Sequence, residues 1–265
     1  MSPDLIAQLT LAGYAAVAAA VVLAQMFRCR DGSLLWLLYA LDRIYVGLVF
    51  HWRANRRCPF PAQGAALIIA NHSSPLDPML IWTNHHLGSP KRKVRVISFL
   101  MAREYYETTG VNIISRIMKA IPLSRDGRDV GPVREALRRL RGGQLVGVFP
   151  EGRINLQRGL LRADTGLAWL AIKSRAPVYP VFIHGVPHGS NMIEPFLTPC
   201  RARLSYGPPI DLSRHYARKA TQPLLREVTD QLMHKLAALG GVPYPLPEGD
   251  DEVDATVSVP IRASM

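Results

Sequence analysis

From residue 64 onward the chain alternates short apolar runs with helical patterns, and this alternation limits the possible folds more than any other feature. Residues 65–70, 94–98, 144–149, 178–183 and 202–206 read as strands. Between them, residues 75–84, 111–119, 130–141 and 160–174 read as helices. Strands separated by helices pair in parallel, because a parallel connection needs a crossover of a dozen or more residues. The pattern therefore predicts an α/β domain whose largely parallel, twisted sheet is flanked by helices. Residues 221–239 read as a last amphipathic helix. From Gly240 the prolines, glycines and acids predict a disordered tail.

The first part of the chain has a different character. Residues 5–27 carry no charge, and eight of them are alanine. As a helix this run would be roughly 34 Å long, enough for a bilayer core of about 30 Å. No Lys or Arg precedes it, which disfavours a cleaved signal peptide. Arg28 and Arg30 follow it while only Asp4 comes before, which places the downstream body on the cytoplasmic side. Residues 33–50 form a second apolar stretch, interrupted by Asp42 and Arg43, and read as an interfacial helix or as a core helix of the domain. The expected division is N-terminal membrane-associated helices over 1–57, an α/β domain over 58–242 and an acidic tail over 243–265.

The 265 residues hold 32 Lys and Arg against 20 Asp and Glu, a net charge of +12. Since residues 247–265 contain five acids and one base, the excess positive charge belongs to the body. It calls for an anionic partner: nucleic acid, an acidic membrane surface or a phosphate-bearing substrate. Neither a nucleic-acid motif nor aromatic interleaving accompanies the basic runs 91–93 and 138–141. These are solvated faces, or they meet anionic lipid, the phosphates of coenzyme A or an acidic carrier protein. Cys29, Cys58 and Cys200 are too few and too widely spaced for a disulfide framework or a zinc site. His184 and His188 stand four apart, but Gly185 and Pro187 break the helix that would align them on a metal.

Two stretches at predicted strand ends carry polar groups suited to chemistry. The first is Asn71-His72-Ser73-Ser74-Pro75-Leu76-Asp77. Pro75 suits a first helical turn and Ser73 or Ser74 an N-cap, so Asp77 lies early in the helix and can turn back toward His72. A carboxylate on one ring nitrogen leaves the other free to take a proton from a hydroxyl. Backbone N–H groups at the helix start would then steady an oxyanion. The second is Phe149-Pro150-Glu151-Gly152-Arg153, whose carboxylate, glycine and base can bind hydroxyls and phosphate. Between them Ile121-Pro122-Leu123-Ser124-Arg125 ends in a guanidinium able to hold a phosphate through two bonds. No G-x-S-x-G elbow accompanies Ser73 or Ser74, which disfavours a serine hydrolase.

The order NH(x)4D, then an Arg after a short apolar strand, then FPEG, then Val178-Tyr179-Pro180-Val181 closely resembles the glycerolipid acyltransferases, best known through the 1-acylglycerol-3-phosphate acyltransferases. The likeness runs from Gly64 to Gly207. It implies an α/β domain preceded by a membrane-associated helical segment. It implies His72 as general base and Asp77 as its orienting partner, with Arg125, Glu151, Gly152 and Arg153 binding the acceptor. The implied reaction moves a fatty acyl group from acyl-CoA or acyl-carrier protein to a lysophospholipid hydroxyl, as in making phosphatidic acid from 1-acyl-sn-glycerol-3-phosphate. No cofactor, metal or nucleic acid is implied; the partners are membrane lipids, the acceptor and the acyl donor. The family usually continues FPEG as Thr-Arg-Ser, whereas Arg153-Ile154-Asn155 stands here. Either Arg153 reaches the acceptor phosphate from its shifted position or the acceptor carries another headgroup. A non-catalytic lipid-binding protein of the same fold would need neither His72 nor Asp77.

Overall fold

The computed structural model describes residues 2–27, 29, 32–83, 94–124, 130–187 and 193–245. Arg28, Arg30, the histidine pair at 85–86, the basic run 91–93, Arg125, His188 and the tail from residue 246 lie outside these residues.

Two helices open the chain, α1 (Pro3–Phe27) and α2 (Ser33–Val49), followed by the short strand β1 (Arg53–Ala54). The body continues through β2 (Ala66–Ala70), α3 (Asp77–Thr83), β3 (Ile97–Ala102), α4 (Arg103–Tyr106), α5 (Val111–Ile117), β4 (Ile121–Leu123) and α6 (Gly131–Arg141). After these come β5 (Leu145–Val148), α7 (Gly166–Ser174), β6 (Val178–His184), α8 (Glu194–Leu197), β7 (Arg203–Tyr206) and the long α9 (Gln222–Gly240).

The strands form one seven-stranded sheet in the order β1-β7-β6-β2-β5-β3-β4. Every pairing is parallel except β6 with β7. The α/β class with a largely parallel sheet is therefore what the alternation of runs predicted. All five residues of β2 are buried, as an unbroken apolar run must be when helices cover both faces of a central strand.

Several element boundaries differ from the sequence reading, for local reasons. The strand expected at 94–98 begins at Ile97, since the Arg95 carbonyl accepts Trp82 Nε1–H at 2.8 Å instead of joining the ladder. The helix expected from residue 160 begins at Gly166, because Leu160 N–H donates to Pro243 O and Leu161 N–H to Glu151. Helix α5 stops at Ile117, and Lys119 takes a left-handed conformation with φ of 52°. The sheet already begins at Arg53, inside the stretch 1–57 read as N-terminal helices, where Arg53 pairs with Arg203.

Helix α2 combines two surfaces. Leu35, Tyr39 and Val46, with Phe50 just beyond its end, are buried in the same core as β7 and α3, while Leu34, Leu37, Leu41, Ile44 and Leu48 are exposed. The charged pair that interrupts its apolar pattern converges on the end of α3. Arg43 and Tyr39 both donate to the Thr83 carbonyl, at 3.1 and 2.8 Å, and Asp42 lies 2.5 Å from the Thr83 hydroxyl. Helix α1 has no buried residue and a mean hydropathy of 2.0 over its most apolar window; it is long and apolar enough to cross a membrane.

Candidate active site

Strands β2 and β5 are parallel neighbours with Ile69 opposite Val148. His72 and Glu151 each stand three residues beyond that pair, so both polar stretches emerge side by side at the carboxyl end of the sheet. Ligands of open α/β sheets bind at that end. Asn71 ties the emerging loop to β6, donating to Ile183 O at 3.1 Å and accepting Ile183 N–H at 2.7 Å.

His72 Nδ1 lies 2.9 Å from Asp77 Oδ2. The same oxygen accepts the backbone N–H groups of Ser73 and Ser74 at 2.8 and 2.9 Å. An oxygen that accepts this many donors offers no proton to the ring, so Nδ1 carries the hydrogen, and in the neutral imidazole Nε2 is the nitrogen with the lone pair. Among the described residues nothing bonds to Nε2, and the side chain of His72 is 20% exposed while that of Asp77 is fully buried. The ring is thus held from behind and open in front.

This turn corrects two details of the sequence reading. Helix α3 begins at Asp77, not Pro75, and Asp77 itself gathers the turn that Ser73 or Ser74 was expected to cap. The N–H groups expected to form an oxyanion hole there are engaged. Those of Ser73 and Ser74 go to Asp77 Oδ2, Leu76 N–H goes to Ser74 Oγ at 3.4 Å, and Asp77 N–H goes to Ser74 O at 3.2 Å.

Aromatic packing fixes the remaining freedom of the imidazole. Phe149 stacks on it with centroids 4.2 Å apart and planes 16° from parallel, and Phe99 stacks behind Phe149 at 5.2 Å. Phe99 stands directly opposite Gly147 in the β3–β5 register. A Cβ on Gly147 would come within 2.2 Å of the Phe99 ring, so this glycine leaves the space that the ring fills.

Glu151, read as an acceptor-binding group, is turned inward. Its Oε1 accepts the His72 backbone N–H at 3.0 Å, and its Oε2 accepts Asn155 Nδ2–H at 2.6 Å and Leu161 N–H at 3.0 Å. Burial pushes its carboxyl above the usual carboxylate range, against the pull of these donors. Asn155 closes the arrangement: its own N–H donates to His72 O at 2.7 Å and its side chain reaches Gly159 O at 2.9 Å. Gly152 sits at the turn with φ of 70°, and Arg153 is exposed beside it. Arg125 lies outside the described residues; the chain before it ends at Ser124, whose hydroxyl accepts Arg103 Nε–H at 3.2 Å.

The sequence reading missed Phe99, Gly147 and Asn155. The strand patterns contain the first two, but only the register between β3 and β5 makes them partners. Asn155 stood in view as the residue displacing the family's serine, and its spacing of four from Glu151 was the available signal.

A family model described as Acyltransferase matches residues 53–184. Uncharacterized proteins of Mycobacterium bovis and of Mycobacterium tuberculosis are 25% identical over 216 residues, covering 65% of this chain and 56% of theirs. The chain thus spans little more than half the length of these curated relatives. The crystal structure of the 1-acyl-sn-glycerophosphate acyltransferase PlsC from Thermotoga maritima shares the fold, with a TM-score of 0.60 at 22% identity over 85% of this chain and 88% of that one.

Proposed function

We propose, from the premise that residues 53–184 belong to the Acyltransferase family, that the chain transfers a fatty acyl group from a thioester to a lysophospholipid hydroxyl. The observation that carries this reading is the 2.9 Å bond from His72 Nδ1 to Asp77 Oδ2, with Nε2 left open. Nε2 takes the proton of the acceptor hydroxyl as its oxygen attacks the thioester carbonyl. The imidazolium so formed is stabilised by Asp77 and returns the proton to the sulfur as the C–S bond breaks. The ester forms, the carrier leaves as a thiol and the ring is neutral again. No covalent acyl-enzyme is required.

The acceptor we infer is 1-acyl-sn-glycerol-3-phosphate, the substrate class that names the Thermotoga maritima enzyme sharing this fold. Arg153 is exposed at the crevice and suits its phosphate through two parallel bonds; Arg125 is the other guanidinium assigned to that role. Acyl-CoA or acyl-carrier protein supplies the acyl group. In our reading the chain is attached to the membrane through α1 with the catalytic body on the cytoplasmic face, supported by the length and apolar character of that helix and by Arg28 and Arg30 after it.

The test is an acyl-transfer assay on the purified full chain, with a panel of lysolipids differing in headgroup and with both donors. Transfer to lysophosphatidate that falls by tenfold or more for other headgroups supports the reading. Transfer to none of the lysolipids with either donor overturns it.

A further inference from the structure

Away from the catalytic loop, the sheet edge carries an arrangement of cations that the proposed reaction has not used. Ala202, Leu204 and Tyr206 are buried in the core shared with Leu35, Val46 and Phe50 from the α2 segment. Successive residues of a strand point to opposite faces, so Arg201 and Arg203 leave the sheet on the face away from α2. Arg53 of β1 stands directly opposite Arg203 on one side, and His184 of β6 stands directly opposite it on the other. His51, Arg53, Arg201 and Arg203 line one cleft of about 240 Å³.

Like charges directly opposite each other in neighbouring strands destabilise the pairing. Among the described residues none of the three arginines makes an ion pair, so the repulsion between Arg53 and Arg203 is not offset by a carboxylate. Burial, and after it the Arg203 charge, hold the His184 imidazole below its usual range. A neutral ring there offers a hydrogen bond and avoids a third adjacent charge. An anion seated across the row would remove the repulsion and accept paired bonds from the guanidinium forks.

The position of the row points to a ligand. His184 ends β6, and its neighbour Ile183 is bonded to Asn71, the residue before His72. The row therefore starts one strand from the catalytic loop, at the same carboxyl end of the sheet. It lies on the opposite face from His72, whose stacking partners Phe149 and Phe99 pack with the α2-side core. At about 4.8 Å per strand, the row extends roughly 10 Å further to β1. It also faces away from the exposed apolar side of α2, toward water. We propose that Arg53, Arg201 and Arg203, with His51 and His184, form a phosphate-ester subsite that holds the phosphates of a water-soluble acyl carrier such as coenzyme A. Assigning the phosphate to the acyl donor rests on the acyltransferase reading; the phosphate chemistry does not.

The test measures coenzyme A binding to the detergent-solubilised full chain by titration calorimetry. It compares the wild type, the triple variant Arg53→Gln/Arg201→Gln/Arg203→Gln, and a control triple of exposed cations, Arg134→Gln/Lys173→Gln/Lys219→Gln, on α6, on α7 and just before α9. Thermal melts verify that each variant folds, and the single variant Arg201→Gln, outside the strand pairing, repeats the measurement. The expected result is at least a tenfold loss of affinity in the edge triple and less than a twofold change in the control. Flotation with phosphatidylcholine vesicles, with and without phosphatidylglycerol, provides the second arm. If the edge triple keeps its coenzyme A affinity but loses its preference for the anionic vesicles, the phosphate belongs to a lipid headgroup and the soluble carrier is overturned. Unchanged binding in both arms, equal losses in edge and control triples, or no coenzyme A binding by the wild type overturns the proposal. Binding that depends on the row in a protein that transfers no acyl group would keep the subsite and sink only the acyltransferase reading.

Discussion

Glu151 Oε1 accepts the backbone N–H of His72 at 3.0 Å, which makes the second polar stretch a brace for the first. Its other oxygen is filled by Asn155 and Leu161. Glu151→Gln preserves shape but places an amide donor where a donor already points. The expected outcome is a loss of about 1–3 kcal/mol in stability and a fall in kcat, with the acceptor KM nearly unchanged. Chemical denaturation and steady-state kinetics measure both, and a raised acceptor KM at unaltered kcat would return Glu151 to acceptor binding.

His72→Ala removes the proposed base from a ring site that is stacked but not enclosed, so the fold should survive while turnover drops by about 10² to 10⁴-fold. Asp77→Asn puts an amide among three N–H donors, two from the turn and one from the ring. It should lower kcat as well and destabilise the turn. A His72→Ala protein with more than a tenth of wild-type turnover would exclude the general-base role.

The stack behind His72 depends on the missing side chain at Gly147, since a Cβ there meets the Phe99 ring at 2.2 Å. Gly147→Ala should cost about 1–3 kcal/mol through overpacking and should lower kcat by disturbing Phe149. Gly147→Ala combined with Phe99→Leu makes room again and should recover most of the lost stability. Equal melting temperatures for the wild type and Gly147→Ala would show that the core accommodates the methyl without moving the ring.

Burial pushes the Asp42 carboxyl up to about 7, opposed by its bond with Thr83 and by the Arg43 charge. The Thr83 hydroxyl lies 2.5 Å from Asp42 and 2.9 Å from Met79 O, and one hydroxyl hydrogen cannot serve both. A protonated Asp42 resolves this by donating to Thr83 while Thr83 donates to Met79. The folded-state value lies above the ordinary aspartate value of 3.8, so the folded form binds the extra proton between the two. Stability from this group is therefore complete below pH 3.8 and is lost as pH rises toward about 7, by a few kcal/mol on the order of magnitude. Asp42→Asn should raise the melting temperature at pH 8 and flatten its decline between pH 4 and 7. An unchanged pH profile of melting would place the titration elsewhere.

Deleting residues 1–30 removes α1, the one helix among the described residues both long and apolar enough to cross a membrane. Much of the truncated protein should then leave the membrane fraction, since α2 retains only one exposed apolar face. Sedimentation in low and high salt checks this. Complete retention in the pellet under both conditions would make α2 the main anchor.

What the sequence determined by itself was mostly what short chain segments decide. The bond between His72 and Asp77 closes over five residues within one turn, so the spacing alone could indicate it. The α/β class was legible because strand and helix runs carry different periods. Tertiary structure decided the rest, through contacts between residues far apart in the chain. Glu151 could be seen at a strand end, but that it faces inward depends on β2 and β5 being neighbours and on Asn155 and Leu161 returning to it. The pairing of Phe99 with Gly147, and the row of Arg53, Arg203 and His184, exist only through strand register. Register is set by which faces of every strand in the sheet are buried together, and no single segment carries that information. For α2, an apolar helix with one charged pair fits either a core or an interface; Leu35, Tyr39 and Val46 against α3 and β7 decided which face went to the core.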